Sequence, residues 1–471
     1  MATKRDLVEA HAFSRRRLVT AFVSGAPGGR EVEPARPARV LVGGAALSVL
    51  LIAGAAIAGV FTKKTPDDWA QPGLFISKET GAAYVITDGD LPIVVRPVIN
   101  ITSAKLILGP DVEPTIIAQE ALEAETVGGD IGILGAPASP PGASRLIEDG
   151  WTACTTTAAG IRLEVSDRPG IRATARTGSV VTNRGRYYLM AQSRPSGSGA
   201  PGAYSYRLPR DAGARDNMLT ALGLQAGTYA IAVSETYLGL FPTGGDLSIQ
   251  TLGLGDTGAK AAYATTDSHL PSGSRVGDIV SYDGGSLLLG PDFPIDLDPF
   301  ALAVYGNLPA PATPRVASVD GAVNVERGGS TFADAHWPSD LLEPLLGEQC
   351  ALLDVEPGAG PRVQVVGDPS ADASAAEVPA DTTSVRVDAG RGAFVYSGDW
   401  SDETSGAPYL MDAKGLAYPL VGAGASAQLG YADVEAPVVP DTWVELFRNG
   451  VPLSQDAALC PPDRGPGPSC E

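Results

Sequence analysis

Histidine is scarce in this chain, with three in 471 residues: His11, His269 and His336. Only His269 and His336 follow the long apolar run at 40–61, so a histidine-centred triad or metal site has few ways to be built. DSH at 267–269 has the composition of a turn, and AHW at 335–337 precedes Pro338; both read as loop residues rather than catalysts. No G-x-S-x-G or H-E-x-x-H pattern occurs. The loop G-x-x-x-x-G-K-[ST], whose backbone amides cradle phosphates, is also absent. Its nearest approach is GLGDTGAKAA at 253–262, where Gly253, Gly258 and Lys260 are present but Ala259 displaces the lysine and Ala261 replaces the hydroxyl. A flexible Gly-rich turn is the simpler reading. Asp292, Asp296 and Asp298 could gather around calcium, but their spacing misses the EF-hand loop and suits a solvated acidic turn. Paired carboxylates for glycoside hydrolysis stay open, because acidic residues are abundant and their pairing is invisible in sequence.

The four cysteines are Cys154, Cys350, Cys460 and Cys470. Three pairings are possible. CPPDRGPGPSC at 460–470 reads as a small closed loop, since its prolines and glycines supply turns but no hydrophobic anchor. That leaves Cys154 with Cys350, a closure of about 200 residues that chain entropy values at roughly 4–5 kcal/mol as an upper figure. Four free or metal-binding thiols are the alternative, and the lack of any C-x-x-C spacing argues against zinc.

These residues must be positioned by elements on either side of VLVGGAALSVLLIAGAAIAGVF at 40–61. As a helix this segment rises about 33 Å, enough to cross a bilayer core, and it is too long and too far from the start for a cleaved signal. Its Gly and Ala residues let a partner helix approach closely. Residues 1–39 carry eight basic and four acidic side chains, so the positive-inside rule places the N-terminus in the cytoplasm. Residues 40–471 keep 26 of the 34 basic and 50 of the 54 acidic groups, a net of −24. Such a domain repels nucleic-acid phosphates, which excludes nucleic acid as a partner. All four cysteines fall on the oxidising side of this topology.

Residues 3–23 lack Gly and Pro and predict a basic helix, followed by a Pro/Arg linker at 26–39. Val8, Ala12, Val19 and Phe22 fall near one face, with Leu7 and Leu18 beside them, and Arg15, Arg16 and Arg17 form the basic block. A cytosolic partner is the favoured contact for the arginines and Phe22. A helix lying on the anionic inner leaflet and a plain topology signal are the alternatives.

Past the span the chain repeats itself. LFPTGGDLS at 240–248 parallels LFRNGVPLS at 446–454, YYLMAQ at 187–192 parallels PYLMDA at 408–413, and SYRLP at 205–209 parallels AYPLV at 417–421. LGPDVEPTII at 108–117 likewise pairs with LGYADVEAPVV at 429–439. Each unit reads as a hairpin, a short helix and a closing strand, with units near 75–150, 181–250, 276–308 and 384–455. The order suggests pseudo-two-fold symmetry about a central region. Segments 309–314 and 367–380, rich in Pro, Ala and Ser, read as exposed loops. Gly and Pro together make up about a fifth of the chain, which favours many short elements and a β-rich α+β fold.

MATKRDLVEAHAFSRRRLVTAFVSG with the following span, QPGLFISKETGAAYVITDG at 71–89, GGDIGILGAP at 128–137, WTAC at 151–154 and Cys350 together resemble the EccB component of the actinobacterial type VII (ESX) secretion system. The resemblance covers nearly the whole chain. It implies one membrane helix and an elongated extracytoplasmic domain with four repeats around a central region. It also implies an oligomeric complex with an FtsK/SpoIIIE-like ATPase and two other membrane proteins, exporting WXG100-type proteins. ATP hydrolysis is attributed to some members, so ATP is the one cofactor the resemblance raises; the residues call for none. The repeats of the family are similar in fold to a phage lysin's wall-binding subunit, so a membrane-anchored cell-wall-binding protein or hydrolase is the alternative function.

Overall fold

The computed structural model describes residues 3–24, 69–89, 91–156, 158–171, 176–194, 202–225, 230–265, 268–308, 314–368 and 377–462. The linker at 26–39, the apolar run at 40–61 and Cys470 lie outside the described residues. Among the described residues no helix is long and apolar enough to cross a membrane. The chain divides into two compact units, Met1–Asp67 and Asp68–Glu471.

The first unit contributes helix α1 (Lys4–Ser24). Its start is fixed by Thr3, whose backbone N–H and hydroxyl both donate to the Asp6 carboxylate, at 2.9 and 2.8 Å. Both bonds run from Thr3 to Asp6; they satisfy the Thr3 backbone N–H at the helix start and pull the Asp6 pKa down.

The second unit is built from five sheets. Sheet 1 holds β1 (Gly73–Ser77), β2 (Ala83–Ile86), β3 (Val94–Pro97), β4 (Pro114–Ile117) and β5 (Thr126–Val127) in the order β4-β1-β2-β3-β5. Strands β1 to β3 form an antiparallel meander, β4 runs parallel to β1, and β5 runs parallel to β3. Helix α2 (Ile101–Leu108) crosses from β3 to β4 and α3 (Gln119–Glu123) from β4 to β5. Next come β6 (Trp151–Thr155) and β7 (Ile161–Val165), which belong to a different sheet.

Sheet 2 repeats the connectivity with β8 (Thr177–Asn183), β9 (Arg186–Gln192), β10 (Ala203–Arg207) and β11 (Ile231–Ala232), helix α4 (Ala212–Ala221) and helix α5 (Glu235–Leu238). A parallel bridge between Ser205 and Thr243 stands where sheet 1 has β5. Sheet 3 follows with β12 (Ile279–Tyr282), β13 (Gly285–Leu289), β14 (Pro294–Leu297), helix α6 (Pro299–Gly306) and β15 (Val316–Ser318), the last again parallel to the first. Helix α7 (Thr331–Asp334) and β16 (Glu343–Pro344), which joins β8, lead to β17 (Glu348–Asp354), β18 (Arg362–Asp368) and β19 (Thr383–Val387). Sheet 4 closes the chain with β20 (Ala393–Gly398), β21 (Ala407–Met411), β22 (Leu416–Pro419), helix α8 (Ala425–Gln428), β23 (Val438–Pro440), helix α9 (Asp441–Val444) and β24 (Arg448–Asn449), followed by helix α10 (Gln455–Ala458). The crossover helices start where a polar side chain can cap them: Asn100, Asp211 and Asp298 each accept from the backbone N–H three residues on, at 2.8 Å.

The fifth sheet is central in the core and has the order β18-β17-β6-β7-β19. It is assembled from two distant stretches, 151–165 and 348–387. Trp151, Ala153, Leu163, Ala351, Leu353 and Val365 give its one face to a core that also takes Tyr237 and Phe241 from sheet 2 and Trp443 and Phe447 from sheet 4. A second core joins sheets 2 and 3, with α4 against α6. A third joins sheets 1 and 4, with α2 against α8 and α10.

The fold is therefore mixed α+β and rich in sheet, as composition implies. Several local expectations need adjusting. The third unit runs past residue 308, because β15 pairs with β12. Residues 383–387 pair with β7 and so belong to the central sheet rather than to a unit opening near 384. Gly367 and Asp368 close β18 instead of opening a loop. In each case strand pairing, with the hairpin neighbour β17 for β18 and with more distant strands for β15 and β19, decides the conformation.

Candidate functional site

The central sheet carries the chain's most constrained chemistry. Cys154 on β6 and Cys350 on β17 stand directly opposite each other in register and are joined by a disulfide. Alternation along a strand sends them to the face opposite Trp151 and Ala351. There they pack with Ile171, Val366 and Leu352. Beside the bond, Arg162 on β7 forms an ion pair with Glu348 on β17, so three neighbouring strands are tied by one covalent and one ionic link. Among the described residues, the one grouping of three candidate metal ligands is Cys154, Glu348 and Cys350. Both its sulfurs are engaged in the disulfide, so it offers no thiolate to a metal. Cys460 is also disulfide-bonded; its expected partner Cys470 lies outside the described residues.

Helix α1 presents Arg15, Arg16 and Arg17 as exposed side chains. Leu7, Val8, Phe13, Leu18 and Val19 are exposed as well, and Phe22 is 92% exposed. At about 100° per residue, the stripe from Leu7 and Leu18 through Phe22 to Val8 and Val19 has Arg15 within it, while Arg16 and Arg17 fan round to the polar side. The helix thus offers a surface that is both apolar and cationic.

The other residues singled out for chemistry do not assemble. His269 and His336 both adopt left-handed backbone conformations (φ 58°), as tight turns require. His269 faces the Ala322 carbonyl, whereas His336 stacks on Tyr204 at 4.4 Å and its carbonyl accepts from the Tyr206 hydroxyl. Around Lys260 the backbone amides are already engaged: Gly258 donates to Val276 (2.8 Å), Ala259 to Asp256 (3.1 Å) and Ala261 to Ser274 (3.1 Å). A phosphate cradle needs such amides free. Asp292, Asp296 and Asp298, weighed for calcium and read as an acidic turn, form no metal-ligand group among the described residues. Asp298 caps α6 and pairs with Arg194, while Asp296 accepts from the Tyr282 hydroxyl and faces Arg327.

Two features escape a reading of the sequence. Arg194, just past β9, clamps sheet 2 to sheet 3: it pairs with Asp298, donates through Nε to the Trp337 carbonyl at 3.3 Å, and lies over the Phe332 ring. Burial raises the Asp298 pKa, and the Arg194 charge works against that shift. Asp149 is the second, an exposed residue at the end of the central sheet whose carboxyl is partly desolvated, with its pKa raised chiefly by that desolvation and then by Asp354 and Glu356. Neither belongs to a motif, since the partners lie 104 or more residues away.

A profile of the family described as "Type VII secretion system ESX-1, transport TM domain B" matches residues 1–286 and 348–466. Curated relatives include the "ESX-1 secretion system ATPase EccB1" of Mycolicibacterium smegmatis (strain MKD8), 34% identical over 120 residues, which is 26% of this chain and 24% of that protein. The protein of the same name from Mycobacterium tuberculosis (strain ATCC 25618 / H37Rv) is 34% identical over 118 residues, 24% of this chain and 22% of that one. The chain matches less than a quarter of the length of these curated relatives. In three dimensions it is similar to a chain of an intact ESX-5 inner membrane complex, with TM-score 0.59 and 19% identity over 98% of this chain and 95% of that one. It is also similar to a chain of the EccB3 dimer from the ESX-3 core complex, with TM-score 0.60 and 20% identity over 82% and 99%. At such identities the likeness is one of fold. The basic helix, the cysteine pair, the central sheet and the main strands of sheets 1, 2 and 4 fall within the profile match, whereas most of sheet 3 lies in its gap, and this chain belongs to the EccB family of type VII secretion systems.

Proposed function

We propose that the chain is a structural membrane subunit of a type VII secretion core complex in an actinobacterial cell, supporting export of WXG100-type proteins. The observation that carries this reading is the family match. It begins at residue 1, runs through the basic helix and the apolar 40–61 segment, and resumes over the central sheet and sheet 4. In this reading the 40–61 segment is a single span, helix α1 is cytoplasmic and the sheets are extracytoplasmic. Four sheets of like connectivity, cored as 1 with 4 and 2 with 3, support four copies of one unit related by a pseudo-two-fold about the central sheet. The engaged amides of Gly258, Ala259 and Ala261 favour a scaffold over ATP hydrolysis. Partners in this reading are the other core membrane proteins, including an FtsK/SpoIIIE-like ATPase that meets α1 through Arg15, Arg16, Arg17 and Phe22.

Deleting residues 2–23 tests this. The apolar span and Arg30, Arg36 and Arg39 remain, so membrane insertion is expected to persist. Co-purification with the ATPase should fall and export of WXG100 proteins should stop. Full export by the deleted chain would remove the basis of the scaffold reading and leave wall binding as the leading alternative.

A further inference from the structure

Sheet 3 carries a cleft that neither the family match nor the scaffold reading uses. It has a volume of about 280 Å³ and is lined by Thr257, Gly258, Arg275, Gly277, Asp278, Tyr305 and Arg315 among others. Its floor is rigid. Tyr305 donates to the Gly277 carbonyl at 2.6 Å, and Gly258 and Gly277 both adopt positive φ (90° and 93°).

The charges around it are arranged against stability. Lys260 and Arg275 face each other across an antiparallel bridge, which places two exposed cations side by side. Like charges directly opposite on paired strands repel. Among the described residues neither has an acidic partner; Arg275 reaches only the Gly258 carbonyl, at 2.7 Å. Arg315 lines the cleft together with Arg275, its guanidinium also donating to the Gly273 carbonyl, while Lys260 is not part of the lining and stands across the bridge from Arg275. The one carboxylate in the lining, Asp278, is already saturated: it accepts from the Arg275 and Arg315 backbone amides (2.7 and 3.1 Å) and from the Arg315 guanidinium (2.9 Å). It is also the more buried partner, with 10% of its side chain exposed against 55% for Arg315. All this lies on a stretch of chain, residues 40–471, whose net charge is −24. A cationic spot of this kind would not be expected from composition.

We propose that the cleft binds a compact oxyanion, a carboxylate or phosphate group, held by the guanidinium of Arg275, the free edge of Arg315 and the ammonium of Lys260. Guanidinium groups match such planar or tetrahedral oxyanions with paired N–H donors. The ligand also relieves the repulsion between Lys260 and Arg275. The contacts come from side chains, so the engaged amides of Gly258, Ala259 and Ala261 do not stand in the way.

The test uses the purified full chain in a maltoside detergent, with thermal unfolding followed in chloride, acetate and inorganic phosphate at equal ionic strength. A bound anion stabilises by mass action, so acetate or phosphate in millimolar excess should raise the midpoint by about 1–2 °C over chloride. The double variant Lys260→Gln, Arg275→Gln should lose that increment while unfolding in chloride no lower than the parent, since it sheds a repulsive pair. A larger response to phosphate points to a phosphorylated ligand, and a larger one to acetate points to a carboxylate such as a peptide's. An equal response in parent and variant would overturn the proposal. So would ATP binding more than tenfold tighter than phosphate with Lys260-dependent hydrolysis, which would make the cleft a nucleotide site.

Discussion

Asp149 opens onto a cavity of about 360 Å³ that is also lined by Glu148, Asp167 and Pro169. Its carboxyl accepts from the backbone at Gly150 and Val355, which favours the charged form, but burial outweighs those bonds and Asp354 and Glu356 add repulsion. The net shift is upward from 3.8. A carboxyl whose folded pKa lies above its unfolded value binds its proton more tightly in the folded state. Its contribution is therefore fully present below pH ~4 and is lost as pH rises through the folded pKa. Ionised Asp149 is then a liability at neutral pH. Asp149→Asn, which keeps an acceptor for one backbone N–H, should raise the unfolding temperature at pH 7, with the gain vanishing below pH ~4. Thermal unfolding from pH 3 to 8 measures this, and a gain larger at pH 4 than at pH 7 would contradict it. Nothing near Asp149 in sequence announces the site, because Asp354 and Glu356 come from the end of β17, which pairs with β6 but lies about 200 residues further along the chain. The cysteine pair, by contrast, could be read directly, since composition left Cys154 little choice of partner.

The elements show why some patterns could be read and others not. The LF-x-x-G turn at 240–244 and its counterpart at 446–450 follow α5 and α9 and end against the third strand of their sheets. At both glycines an added Cβ would overlap an aromatic ring, that of Tyr206 on β10 or Tyr418 on β22. One steric demand met twice leaves one residue pattern twice, and the repeat is visible for that reason. Gly450→Ala should lower stability by about 1–3 kcal/mol through overpacking against Tyr418. Gly424→Ala, where nothing lies within 4 Å, serves as the control and should be nearly silent. Equal unfolding midpoints for the two variants would refute the packing account. The central strands were harder to read. Residues 354–361, DVEPGAGP, do mark the turn between β17 and β18, but the pairing of β17 with β6 is set by tertiary contact alone.

Across the whole molecule, Cys154 and Cys350 close a loop of 196 residues that contains all of sheets 2 and 3. The bond restricts the unfolded chain most strongly because the loop is long. Cys350→Ser should therefore cost about 2–5 kcal/mol, read as a drop in the denaturant midpoint of the full chain in detergent. Membrane insertion should be unchanged, since the 40–61 segment is untouched. A midpoint equal to the parent's would mean that the Arg162–Glu348 pair and the sheet hydrogen bonds hold the junction alone.

The two-part central sheet also imposes an order in time. A chain emerging from its N-terminus presents β6 and β7 early, but the neighbours that flank them, β17 and β19, arrive only after sheets 2 and 3 have been made. Pairings of such separation are slow to form, and until they do both edges of the β6–β7 hairpin stay open. Sheets 1 and 3 and the main strands of sheet 2 draw on neighbouring stretches and can condense as they appear, with β16 joining sheet 2 later. The centre can be completed only after sheets 2 and 3, and oxidation of Cys154 with Cys350 then marks a molecule in which both have already arrived.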